Sequence, residues 1–225
     1  MKKTVLFLLA GVLLYSCTPR EAPNTFSPNT FKDKRDNKVY KTVTIGEQTW
    51  MAENLKYLPD GSEVSGPVYG DNSTPYYYVY DFSGGSIDDA IKENNYKTYG
   101  VLYNWAAAKD ACPEGWHLPS DAEWTQLENY LGGINIAGKK LKSRSGWNYN
   151  GNGTDNYGFS ALPGGSRGYY GSFYDIDNNG YWWSSTEYEY NTNNAWTRSL
   201  SYNSWIVYRG NGSKAHGLSV RCVRD

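Results

Sequence analysis

The chain has 225 residues, with 22 Lys and Arg against 23 Asp and Glu, and a formal net charge of −1. That balance, with no block of like charge, argues against nucleic-acid binding and against a basic membrane-docking face. The length and a hydrophobic fraction of 39% suit one modest soluble domain behind an export signal.

Residues 1–16 place Lys2 and Lys3 before the apolar run Val5 to Leu14, the layout of a secretory signal and too short to span a bilayer. Leu14, Tyr15, Ser16 and Cys17 resemble a bacterial lipobox. Cleavage before Cys17, followed by acylation of its thiol and new amino terminus, would anchor the chain to a lipid membrane. Each buried methylene contributes about 0.8 kcal/mol, so several acyl chains hold a protein without a spanning helix. The alternative is a plain secretory signal with an incidental cysteine. Thr18, where an Asp would retain such a protein at the inner membrane, points to an outer-membrane lipoprotein of the cell envelope, periplasmic or surface-exposed. From Cys17 to residue 37 the chain carries Pro19, Pro23 and Pro28 among polar residues without apolar period, which predicts a flexible tether spanning about 25 Å.

The domain is expected from 38 to 225. VYKTVTI, a Gly46-Glu47 turn and QTWMA predict an opening strand pair. Residues 59–97, with Tyr76, Tyr77, Tyr78 and Tyr80, suggest a long loop with one strand. Tyr103 to Cys112 is Ala-rich and predicts a helix that Pro113 ends. Ser120, Asp121, Ala122 and Glu123 spell a capping box. Trp124, Leu127 and Leu131 then form one apolar stripe, closed by Gly132 and Gly133. Gly- and Asn-rich loops follow, then short strands at 181–185, 195–201, 205–208 and 218–223, with Gly210-Asn211-Gly212 punctuating the last hairpin.

With Cys17 acylated, only Cys112 and Cys222 remain. In an oxidising compartment such a pair most simply forms one disulfide, while their wide separation matches no recurring metal-ligand spacing. His117 and His216 are the only histidines, too few for a hydrolytic or zinc constellation that needs convergent ligands or a nucleophile beside its base, and Gly151-Asn152-Gly153 lacks the lysine of a phosphate loop. No catalytic constellation is therefore assigned, and His117 is expected in a hydrogen-bonded structural role. Asp175, Asp177, Asn179 and Gly180 spell the opening of a calcium loop, but Thr186 stands where the bidentate Glu belongs. An ordinary turn competes with a weak calcium site there. Aromatics make up 16% of the chain, with 22 Tyr and 9 Trp. Flat rings with polar tips suit both packing and sugar stacking. Trp147, Tyr149, Tyr157, Tyr169, Tyr170 and Tyr174 fall in expected loops and are the candidate ligand-binding residues.

WMAENL (Trp50 to Leu55), YGVLYNW (Tyr99 to Trp105), ACPEGWHLPSDAEW (Ala111 to Trp124), GFSALPGG (Gly158 to Gly165), WWSST (Trp182 to Thr186) and SVRCVRD (Ser219 to Asp225) occur in order. Together they resemble the Fibrobacter succinogenes major paralogous domain family, found in exported bacterial proteins, many of them lipoproteins. Many members carry a further cysteine pair before the YG-LYNW motif, where this chain is Tyr-rich instead. More distantly, Trp105, Ala108, Cys112, Gly115 and Leu118 are similar in spacing to the first helix of C-type lectin-like domains. LPSDAEW is similar to a signature of formylglycine-generating enzymes, which share that fold. The resemblance implies an α+β, C-type lectin-like architecture: two short helices around a twisted antiparallel sheet, with long irregular loops. It also implies pairing of the first-helix cysteine with one in the final strand, here Cys112 with Cys222.

The relatives' functional residues do not carry over. The calcium-dependent sugar tripeptides of lectins do not occur, and no free cysteine pair is left for oxidative chemistry. The expectation is a non-enzymatic, membrane-anchored module that recognises glycan or protein through an aromatic loop surface. The alternatives are an enzyme related to the formylglycine-generating oxidative modifiers, or a purely structural envelope protein.

Overall fold

The computed structural model describes residues 29–65 and 70–225. The expected signal, Cys17 and the first part of the tether lie outside the described residues. In chain order, β1 (Asn29–Lys32) runs antiparallel to β2 (Val39–Ile45), which turns into β3 (Gln48–Met51). The expected strand pair thus forms, with Gly46 taking φ +62 in its turn. The expected tether stops short of Lys38, because Asn29–Lys32 already pairs with β2. Phe31 anchors that strand by setting its ring 5.2 Å from that of Trp116, so one aromatic among polar residues suffices to extend the sheet.

The segment read as a long loop holds its one strand, β4 (Tyr77–Tyr78), but also α1 (Ile87–Ala90) and α2 (Asn94–Tyr99). Neither helix is long enough to show an apolar period. Next come β5 (Leu102–Tyr103) and α3 (Trp105–Lys109). The helix begins at Trp105, not Tyr103, because Asn104 caps it: its side-chain oxygen accepts from the Ala107 amide at 3.0 Å. After β6 (Trp116–His117), α4 (Asp121–Tyr130) starts with the expected capping box and buries Trp124 and Leu127. A further helix, α5 (Ile134–Leu141), was not expected: it has no side-chain cap and carries an interior glycine.

The remaining strands are β7 (Gly164–Arg167), β8 (Phe173–Ile176), β9 (Asn179–Glu187), β10 (Asn194–Ser201), β11 (Tyr208–Ser213), β12 (Leu218–Ser219) and β13 (Val223–Arg224). Two expectations fail here. Trp205 to Val207 lead into a strand without belonging to it, and Gly210-Asn211-Gly212 lies inside β11 opposite Thr197, Trp196 and Ala195. Six ladder positions with β10 override the local turn preference of that triplet. The hairpin β7–β8, in sequence read as loop, also forms by pairing, since β7 lies parallel to β9 at Gly165 and Gly180.

Two sheets result. One is antiparallel throughout, in the order β1-β2-β3-β13-β6; the other runs β11-β10-β9-β12-β5-β4, with β9 and β12 parallel. The last strand therefore sits between early ones. Cys222 enters β13 and bonds Cys112, with Cα atoms 5.9 Å apart, stapling the end of α3 to the closing strand as expected. The protein is thus α+β, with short helices around antiparallel sheets. Strand alternation divides the core. Trp182 and Met51 follow or precede partners on the opposite side: Trp50 and Trp182 pack with α4 and α5, whereas Met51 and Trp183 pack with α3. The buried indoles find acceptors, among them Trp105 on the Ser184 carbonyl at 2.9 Å and Trp183 on the Tyr103 carbonyl at 2.7 Å. No helix among the described residues is long and apolar enough to cross a membrane.

Candidate functional site

The six aromatic candidates separate into four environments. Trp147 is a core residue: it is buried, and its indole donates to Ser143 Oγ and to the Ala161 carbonyl. Its place in a Gly- and Asn-rich stretch concealed that Phe159 and Ala161 fold back over it, and it is withdrawn as a ligand-binding residue. Tyr157 is half-buried, with its ring 5.9 Å from that of Tyr130. Tyr149 is exposed in a left-handed conformation and lies 5.2 Å from Tyr202.

Tyr169, Tyr170 and Tyr174 come together on the β7–β8 hairpin. Tyr169 and Tyr170 occupy its turn, ring centroids 3.7 Å apart, and Tyr169 stacks over His216 at 6.0 Å and 21°. The turn is tight: the Gly168 amide donates to the Ser172 carbonyl, and the Gly171 amide to that of Gly168. Tyr170 is 57% exposed, so a large flat ring is held toward solvent on a braced strand pair. Burial lowers the pKa of His216, leaving a neutral imidazole behind Tyr169. Beside Tyr170 opens a cleft of about 450 Å³, walled by Phe82, Arg167 and Phe173 and edged by Ser65, Ser83 and Ser172. Arg167 lies 4.1 Å over the Tyr78 ring, and Phe173 lies 5.0 Å from Tyr80, which fixes both walls. Tyr174, opposite Ser166, is on the other face of the hairpin, its ring against Gly168.

A second aromatic surface went unnoticed in sequence. Trp205 and Tyr208 are exposed at the β10–β11 connection, and the half-buried Tyr202 there has the Tyr149 ring 5.2 Å from its own. Beneath Trp205, Lys142 is fully buried, its Nζ donating to the Ser201 and Ser204 carbonyls and lying 4.5 Å from the indole ring. Burial pushes the Lys142 pKa down to about 8. Read in sequence as a strand, 205–208 offers no reason to group these rings with Tyr149.

The calcium candidates form a turn. Asp175 and Asp177 take φ 67 and 64. The Tyr181 hydroxyl donates to Asp175 at 2.7 Å and accepts from Asn179, while the Tyr99 hydroxyl donates to Asp177. The two carboxylates thus brace two different phenols. Thr186 lies at the far end of β9, where the ladder with β10 is irregular, and its hydroxyl accepts from the Asp121 amide, so it faces α4 and not the Asp175 turn. Among the described residues no group of three or more His, Cys, Asp or Glu side chains is placed to hold a metal ion. His117 bridges Asp225 at 2.6 Å and Glu123 at 2.7 Å, a structural link from β6 to α4. Burial opposes its charge, but those hydrogen bonds outweigh burial and raise its pKa.

Comparison with curated proteins and with solved structures finds no match to the chain. The model of the Fibrobacter succinogenes major domain matches residues 43–224, a span that takes in the second sheet, the first sheet apart from β1 and the start of β2, the disulfide and the β7–β8 hairpin. With nearly the whole described domain inside that match, the chain belongs to the Fibrobacter succinogenes major domain family.

Proposed function

We propose that this protein is a non-enzymatic recognition module that binds glycan through the β7–β8 hairpin, presented on an outer-membrane lipoprotein anchored by Cys17 in the cell envelope. One observation carries the binding surface: Tyr169 and Tyr170 are exposed as a pair on a braced turn, backed by His216 and adjoining an aromatic-walled cleft. Such rings stack on the C–H faces of sugars, while Arg167 and the serine edge supply polar partners. A C-type lectin-like arrangement is supported by the staple from α3 to the closing strand and by the adjacency of early and late strands. Against oxidative catalysis, both remaining cysteines are engaged in the disulfide and His117 is held between two carboxylates.

The test is a binding screen of the purified, oxidised protein against polysaccharides and cell-surface glycans, with calcium and with chelator. Saturable binding is expected in both conditions. Tyr169→Ala with Tyr170→Ala should weaken it about tenfold or more, equivalent to at least ~1.4 kcal/mol, without lowering the melting temperature. Tyr149→Ala should leave it intact. Absence of saturable glycan binding, or binding indifferent to Tyr169 and Tyr170, overturns the proposal and turns the search to protein ligands.

A further inference from the structure

Arg221 is a buried cation with no carboxylate in ion-pair contact; Asp155 and Glu53 act on it only at a distance. It is 1% exposed, and its Nη groups donate to neutral acceptors, the Phe159 carbonyl and Asn54 Oδ1. Its Nε is buried with no hydrogen-bond partner. A guanidinium does not shed its charge to escape burial, and a buried charge left unpaired is costly. Arg221 is also among the residues lining a cleft of about 320 Å³, together with Lys41, Lys56 and Lys97. Among the described residues none of these four cations is in an ion pair. Lys56 Nζ donates to the Lys97 carbonyl at 2.7 Å, and the Lys97 Nζ to that of Lys92. Positive charge has been gathered from strand β2, the segment after β3, helix α2 and the approach to β13, four places distant in sequence.

The rest of the lining narrows the anion. Glu53 is the one carboxylate in the cleft wall, and Ala52 and Leu162 add an apolar patch beside Thr98 and Ser160. A carboxylate at the wall repels a dianion such as phosphate, yet accepts hydrogen bonds from hydroxyls. The apolar patch suits a C–H face, and the volume lies near the small end for ligand clefts. We infer that this cleft is an anion site for a hydroxylated monocarboxylic acid of sugar size, a hexuronic acid, whose carboxylate supplies the missing counter-ion to Arg221 and the lysines. The cleft shares no lining residue with the hairpin surface, so the inference does not rest on glycan binding there.

The experiment is calorimetric titration of the purified protein with D-galacturonate, galactose and inorganic phosphate in turn. Galacturonate is expected to bind saturably, at least tenfold more tightly than either galactose or phosphate. Binding should weaken as salt rises from about 0.05 to 0.5 M, where screening shortens to a few ångströms. Lys41→Gln with Lys56→Gln should lower affinity about tenfold while thermal unfolding and the response to Tyr170→Ala at the hairpin stay as they were. Glu53→Gln should narrow the preference over phosphate. No galacturonate binding, binding unchanged in the double lysine variant, or phosphate bound as tightly as galacturonate each overturns the inference. The last result would make this a bare-anion site.

Discussion

His117 is the residue whose charge state the fold controls most directly. Asp225 and Glu123 each hydrogen-bond one ring nitrogen, and together they raise its pKa against the opposing effect of burial. Because the folded value lies above the unfolded one of about 6.5, the stabilisation is fully present below pH 6.5. It is lost as pH rises through the folded value. His117→Gln should therefore lower stability by up to about 1 kcal/mol at pH 5.5, a modest figure because the three side chains are partly exposed and screened. At pH 8.5 the variant and the parent protein should melt nearly together. Thermal unfolding at the two pH values checks this, and an equal loss at both would show that the ion pairs contribute nothing. The histidine itself was recognisable in sequence as structural, sitting in a tight GWHLP loop. Its partners were not, because Asp225 is brought to it only when β13 pairs with β6.

Helix α5 shows how an element can contradict its own propensities. Gly138 is interior to the helix, where alanine ordinarily gains up to about 1 kcal/mol. Here an added Cβ would lie 2.5 Å from the Trp205 carbonyl oxygen and 2.9 Å from Leu200 Cδ2. The helix needs that glycine to lie flat against the β10–β11 connection, which Lys142 fastens from the helix end. Gly138→Ala is thus expected to destabilise by about 1 to 3 kcal/mol, the range for forced overpacking, and urea unfolding measures the change. A stabilised variant would mean that the loop yields freely. The capped helix α4 was legible from four residues because a capping box is satisfied within its own first turn. Helix α5, with no cap and its apolar side chains meeting partners some sixty residues away, offered no such local signature.

At the scale of the molecule, the Cys112–Cys222 bond closes a loop of 110 residues. In the chain-entropy account a loop of that length contributes about 4 to 5 kcal/mol by restricting the unfolded chain. Reduction, or Cys112→Ala with Cys222→Ala, should lower the unfolding free energy by that order. Urea midpoints with and without reductant give the comparison, and coincident midpoints would mean that packing alone fixes the closing strand. The opening hairpin, the capped helix, the cysteine pair and the six ordered motifs that mark the family were all determined by the sequence itself. Each depends on neighbours within a few positions, or on composition and order alone. Only tertiary structure decided which aromatics are core and which are surface, since Trp147 and Tyr169 lie in equally Gly- and Asn-rich surroundings and differ only in what folds over them. The same holds for β7 and β11, which pair with β9 and β10, for β8, which pairs in turn with β7, and for the cation cleft, assembled from residues 41, 56, 97 and 221. Burial, strand pairing and summed charge are properties of residues far apart in the chain, and no local pattern encodes them.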